Sequence, residues 1–186
     1  LAGQDDLVEA FRQGRDVYSE FASDVYGRKI TKEDKLERFV GKTCILGLGY
    51  GMGAEKFRST LALGMGGLKV EIDENEAKRI VYLYRDKNHR ITALWQRCQS
   101  ALSDMIAGRS GVISDYVSYD KEGILLPSKL HVKYPALNYN DNNFRYISDA
   151  RTYRKIMSTR VQGEEVPSNN WTYIYGGKVV ENIVQA

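Results

Sequence analysis

Apolar positions recur at helical spacing through the first hundred residues. Leu7, Val8, Ala10 and Phe11 stand among charged side chains and stop at Gly14, predicting a short amphipathic helix over residues 4–13. Val17, Tyr18, Phe21, Ala22 and Val25 keep the period and stop at Gly27, a second helix over 16–26. Thr31 with Asp34 three residues later is a weak form of the capping box, so helix entry is expected between Thr31 and Lys35. A helix over 53–63 precedes the Gly64-Met65-Gly66-Gly67 run, and another pattern runs from Glu74 to about residue 107. Its apolar stripe changes phase near Asp86-Lys87-Asn88, which predicts two helices or one kinked helix, and Asp73, Glu74 and Glu76 suit the dipole at its start.

Beyond Gly108 the texture becomes β-branched and aromatic with turn formers between. Val112-Ile113, Tyr116-Val117, Ile124-Leu125-Leu126, Leu130 with Val132, Tyr134, Phe144 to Ile147 and Trp171 to Tyr175 read as strands, and residues 138–143 as a polar loop. Val179, Val180, Ile183 and Val184 restore a helical period at the end of the chain. The fold class is therefore α+β: a helical part over residues 1–109, then a β-containing part over 110–186.

One row stands out. Arg38, Lys42, Leu46 and Tyr50 are spaced by four, so on a helix spanning about residues 34–50 they share a face that drifts slowly, since each step of four turns through about 400°. Read from the N-terminal end, the face offers two cations one turn apart, an apolar contact and an aromatic ring. That sequence of groups suits the phosphates, sugar and base of a nucleotide, and equally describes a solvated stripe followed by core positions. Gly47, Gly49 and Gly51 each cost a helix roughly 1 kcal/mol relative to alanine, so they point to close approach by another backbone or a base and to a helix end at Tyr50.

Charge sharpens this picture. The 186 residues carry a formal net charge of only +3, yet Arg28, Lys29, Lys32, Lys35, Arg38 and Lys42 face only Glu33, Asp34 and Glu37 within one short window, which carries the whole excess. An anion is expected nearby. Cys44 and Cys98 lie far apart and read as reduced, buried thiols; with His89 and His131 equally isolated, no zinc site is assigned. The Glu164-Glu165 pair reads as a turn-rich loop, not a metal site. Tyr116, Tyr119, Tyr134, Tyr139, Tyr146 and Tyr153 read as strand-packing residues, with base stacking as the alternative. No stretch approaches the roughly 20 apolar residues of a membrane span, and a cytoplasmic, non-oligomeric protein is expected.

Arg38, three residues, Lys42, seven residues, then Tyr50-Gly51 resembles motif B, the fingers helix of family A DNA polymerases of the DNA polymerase I type. The flanks agree. Residues 1–18 resemble the segment after motif A, while Gly123-Ile124-Leu125-Leu126-Pro127-Ser128 and residues 176–186 are similar to palm segments of bacteriophage-type members. The likeness spans nearly the whole chain. It implies fingers over 1–109, part of the palm over 110–186, and template-directed DNA synthesis by a larger parent enzyme.

The resemblance also implies site residues. Arg38 and Lys42 match the triphosphate-binding cations, with Lys42 a candidate for protonating the pyrophosphate leaving group. Tyr50 and Gly51 match the pair beside the template, and Gln185 matches a glutamine near the primer terminus. Leu46 stands where the family usually has Phe or Tyr beside the incoming sugar and base, and Tyr18 where many members carry a histidine that reaches the triphosphate. Mg2+ is expected in the parent, held by aspartates of motifs A and C that lie outside this chain, so the isolated chain is expected to bind no metal and to be inactive. The expected partners are a DNA primer-template and deoxynucleoside triphosphates, in a host cytoplasm if the source is viral. Two alternatives share the Arg, Lys, Tyr-Gly spacing or its charge: a phage-type single-subunit RNA polymerase, and a non-catalytic nucleic-acid binding module.

Overall fold

The computed structural model describes residues 1–64, 66–159 and 166–186; Met65 of the glycine-rich run and the Glu164-Glu165 pair lie outside them. Helices form where the apolar stripes predict them: α1 (Asp5–Arg12), α2 (Val17–Tyr26), α3 (Lys35–Thr43), α4 (Ala54–Leu63), α5 (Glu74–Lys87) and α6 (His89–Ile106). Gly27 ends α2 in the left-handed conformation, φ 63°. Asp73 caps α5 by accepting the Glu76 N–H at 2.8 Å. The phase change is a true break: Asn88 leaves the helix and its side-chain amide donates to the Tyr84 carbonyl at 2.9 Å.

Two compact units result, residues 2–93 and residues 94–186 together with Leu1. Their boundary falls inside α6, earlier than the helix-to-strand change in texture. The core of the first unit gathers Phe21 and Val25 of α2, Phe39 and Val40 of α3, Phe57 and Leu61 of α4, and Ile80 and Tyr84 of α5. Phe21 and Tyr84 meet edge to face, ring centroids 5.6 Å apart.

Within this unit α2 lies along α3, and one glycine sets how closely. A Cβ built on Gly41 would sit 2.1 Å from the Tyr18 carbonyl oxygen and 3.0 Å from the Ala22 Cβ, so only glycine lets the two backbones meet there. The crossing brings the start of α2 against the side of α3. Arg38 then forms a two-pronged ion pair with Asp16, Nε to Oδ2 at 2.8 Å and Nη2 to Oδ1 at 3.1 Å, while its guanidinium lies 5.3 Å from the Tyr18 ring centre.

α3 does not continue as an α-helix to Tyr50. From Cys44 to Leu48 it becomes π-helical, its hydrogen bonds reaching five residues back instead of four. Tyr50 follows in a turn, where its N–H donates to the Gly47 carbonyl at 3.3 Å, and Gly51 adopts φ 84°. The expected single face is thus α-helical through Arg38 and Lys42 and widened at Leu46. The run of small residues, Gly47 and Gly49, removes the side-chain packing that would hold the tighter spiral.

The second unit pairs α6 with two antiparallel sheets. β1 (Gly111–Ser114), β2 (Val117–Asp120), β3 (Gly123–Leu125) and β4 (His131–Val132) form a meander in that order; β5 (Asn138–Asn140), β6 (Asn143–Tyr146) and β7 (Thr172–Ile174) form the second sheet. The predicted polar loop over 138–143 is therefore a hairpin. Asp141 and Asn142 take φ 47° and 62°, the left-handed pair a two-residue turn requires, and both residue types tolerate it. α7 (Ala150–Thr159) is a helix the strand-and-turn reading of this region does not include; its apolar set is short, Tyr153, Ile156 and Met157, none of its residues is fully buried, and it carries Tyr153 outside any strand. α8 (Gly176–Gln185) begins hard against α6: a Cβ on Gly176 would meet the Trp95 carbonyl oxygen at 1.9 Å, and the Gly176 N–H donates to Gln99 Oε1 at 2.7 Å. His131, expected to stand alone, has Nε2 3.0 Å from Asp120 Oδ2 across neighbouring strands.

Two stability outcomes follow from the α2–α3 crossing. Gly41→Ala drives a methyl into the Tyr18 carbonyl and is expected to destabilise the chain by about 1–3 kcal/mol despite the better helix propensity of alanine, read by urea or thermal unfolding; unchanged stability contradicts the close crossing. The Arg38 guanidinium, with help from the Ser19 hydroxyl, holds the Asp16 carboxyl down at about 2. A carboxyl depressed in the folded state adds stability above its ordinary pKa near 4, and that stability is lost as pH falls towards 2. Asp16→Asn is thus expected to cost about 1–2 kcal/mol at pH 7, with the gap to the parent chain closing between pH 4 and 2 in thermal melts.

Candidate functional site

The predicted site residues belong to three places. Arg38 and Lys42 rise from the α-helical part of α3 and line one cleft of about 240 Å3, together with Lys32, Lys35, Phe39 and Leu68. Among the described residues no carboxylate lines it. Lys42 also lines a second, largely apolar pocket of about 190 Å3 with Phe39, Leu46, Gly47 and Met52, where the π-helical turn meets α4. Lys42 and Phe39 therefore form the wall that the two cavities share.

The electrostatics of the first cleft are one-sided. Arg38 is neutralised by Asp16, which keeps its guanidinium oriented and raises its proton affinity further, so it stays charged at any working pH. Lys32, Lys35 and Lys42 form no ion pair among the described residues. The acids of the same window are occupied elsewhere: Asp34 and Glu37 bind Arg28, and Glu33 accepts the Thr31 hydroxyl at 2.6 Å. Thr31 does not cap α3; the Thr31 N–H instead donates to Asp34 Oδ2 at 2.9 Å, which ties the turn ahead of the helix. Such a cleft can hold an anion with several charges, through point contacts from three ammonium groups and one fixed guanidinium.

The remaining site residues are placed as follows. Tyr18 stands beside Arg38 through the ring contact already described. Leu46 is 50% exposed, which leaves an apolar surface open next to Lys42 rather than sealed in the core. Tyr50 and Gly51 are partly exposed at the end of the helix and line neither cavity. Gln185 is exposed near the C-terminal end of α8, in the other unit. Sequence reasoning leaves out Asp16, whose role depends on the crossing at Gly41, and leaves Lys32 and Lys35 as part of a basic window rather than of a site; their shared excess of charge was the available signal.

Among the described residues no three His, Cys, Asp or Glu side chains converge on a point. Both cysteines are buried, and burial pushes the Cys98 thiol up to about 12 and the Cys44 thiol higher still. No helix among the described residues is long and apolar enough to cross a membrane.

Comparison with known proteins matches this chain to polymerases. Over 200 aligned residues it is 30% identical to a DNA polymerase of Bacillus phage SP02, an alignment that covers all of this chain and 28% of the phage protein. It is 37% identical over 68 residues to DNA polymerase I of Helicobacter pylori (strain J99 / ATCC 700824), covering 37% of this chain and 7% of that enzyme. It is 36% identical over 63 residues to the thermostable DNA polymerase I of Thermus aquaticus, covering 34% and 8%. The chain thus spans under a third of each of these relatives. The family model described as DNA polymerase family A matches residues 1–112, a range that holds both cavities and every predicted site residue except Gln185. The chain belongs to DNA polymerase family A.

Proposed function

We propose that this chain is the nucleotide-gripping part of a template-directed DNA polymerase, with residues 1–109 as fingers and 110–186 as part of the palm. One observation carries the reading: Arg38 and Lys42 share a cleft free of carboxylates, and Lys42 also borders the apolar pocket that holds Leu46. A deoxynucleoside triphosphate has the matching polarity, a highly charged tail joined to a less polar sugar and base. Its phosphates lie on Arg38 and Lys42, and its sugar and base run towards Leu46.

In this reading the two cations act by electrostatics. They draw off the charge that gathers on the β- and γ-phosphates as the bond to the α-phosphorus breaks, and Lys42 is the candidate to protonate the departing pyrophosphate. Arg38 acts from a fixed position because Asp16 holds two of its nitrogens. The Tyr18 hydroxyl is a further donor towards the phosphates, Leu46 gives a smaller apolar contact than a ring would, Tyr50 and Gly51 meet the template, and Gln185 meets the primer end. Mg2+ in the parent enzyme would supply the Lewis-acid chemistry of phosphoryl transfer; among the described residues no cluster of three His, Cys, Asp or Glu offers to hold it, and this chain alone is expected to extend no primer.

The relatives' names favour DNA over RNA synthesis, and the cleft favours nucleotide recognition over a purely nucleic-acid binding module. A Lys42→Ala variant of the parent polymerase is expected to lose about 10–100-fold in kcat/KM for the incoming nucleotide while its affinity for primer-template changes little. The measurement pairs single-turnover incorporation with DNA binding. Equal loss in both assigns Lys42 to DNA rather than to the triphosphate.

A further inference from the structure

The cationic cleft reaches beyond the two residues that the family spacing singles out. Lys35 opens α3 and Lys32 precedes it, so four cations follow the helix edge from before its start to Lys42. Positive charge at the start of a helix opposes the helix dipole, and the three lysines around the cleft repel each other even though Asp16 offsets the charge of Arg38. The local acids do not relieve this. Asp34 and Glu37 are taken by Arg28, Glu33 turns to Thr31, and none of the three lines the cleft. In a sequence window with six cations and three carboxylates, the carboxylates are thus taken up by Arg28 and Thr31, while Lys32, Lys35 and Lys42 line one cleft with Arg38. That arrangement is costly for an empty fold and favourable for one that holds a polyanion.

We propose that this cleft is a polyphosphate subsite in which Lys32 and Lys35 extend the grip of Arg38 and Lys42 to the terminal phosphates, so that affinity rises with phosphate number. The assignment rests on the nucleotide reading for its physiological ligand, the end of a nucleoside triphosphate and the pyrophosphate it becomes. The ordering is geometric: Lys42 borders the apolar pocket, and Lys32 and Lys35 lie towards the opposite end of the same helix edge, so the sugar end and the phosphate end of a ligand are fixed. Lys32 and Lys35 are positioned to hold the group that leaves rather than the group that is transferred.

Isothermal titration of the chain with inorganic orthophosphate, pyrophosphate and tripolyphosphate at one fixed ionic strength tests this. Each added phosphate is expected to tighten binding by about 3–10-fold. A Lys32→Ala/Lys35→Ala variant is expected to lose about tenfold for tripolyphosphate and under about twofold for orthophosphate, with its melting temperature unchanged or raised because a repulsion has been removed. Arginine at both positions should restore the phosphate dependence. Lys29→Ala removes charge from the same window but outside the cleft, and should leave it intact. Tripolyphosphate binding by the double alanine variant equal to that of the parent chain, or equal harm from Lys29→Ala, overturns the subsite. Competition by a deoxynucleoside triphosphate separates the two readings. If the lysines hold tripolyphosphate but the nucleotide does not compete, the subsite stands and the nucleotide reading falls; if Lys42→Ala abolishes nucleotide binding while the double variant loses nothing, the reverse holds.

Discussion

The absent side chain of Gly41 governs the helical unit. Because the backbones of α2 and α3 meet at that point, the first turn of α2 lies against α3, and Asp16 and Tyr18 arrive at Arg38 together. A larger residue would part the helices and leave the guanidinium without its anchor. Arg38 would then be a mobile surface cation, and mobility is what a group needed at one position on a phosphate must avoid. The crossing therefore links a packing constraint to the electrostatics of the cleft without any contact between Gly41 and a ligand.

Charge within the unit is arranged by segregation more than by amount. The chain's formal excess is small, and its short basic window leaves Lys32, Lys35 and Lys42 without ion pairs among the described residues because Arg28 and Thr31 take up Glu33, Asp34 and Glu37. Arg38 and Lys42 then differ in kind. Arg38 is neutralised and fixed by Asp16, whereas Lys42 has no ion pair among the described residues and stands between a cation-lined and an apolar cavity. A planar fork held by a carboxylate suits positioning, and a compact ammonium on a flexible stem suits a charge that must follow a moving group.

Much of the fold was legible because its helices bury one stripe. The stripes of α1, α2, α4 and α5, the break at Asn88 and the glycine stop at Gly27 follow from local spacing alone. What escaped has a physical reason in each case. α7 has only a short apolar set, Tyr153, Ile156 and Met157, among polar residues and no fully buried position, so its period is easily passed over. The hairpin at Asp141-Asn142 is built from polar residues whose turn preference outweighs their low strand propensity. The spacing from Arg38 to Tyr50 predicts one α-helical face, but the π-helical stretch from Cys44 to Leu48 breaks the period, so Tyr50 lies in a turn after the helix. At the site, spacing pointed to Arg38 and Lys42, while Asp16 and the lysine pair needed a tertiary crossing and a pattern of ion pairs that no local window contains.

The α2–α3 crossing fixes Arg38 beside Lys42 in the cleft proposed to take the tail of a nucleotide. Titration of the isotope-labelled chain with a deoxynucleoside triphosphate, followed by NMR chemical shifts, tests it most directly. Saturable shifts are expected from Lys32 to Leu46 and on Asp16 and Tyr18, with little change in the strand-rich unit. Shifts that spread evenly over basic surface residues, or that cluster away from α3, would contradict it.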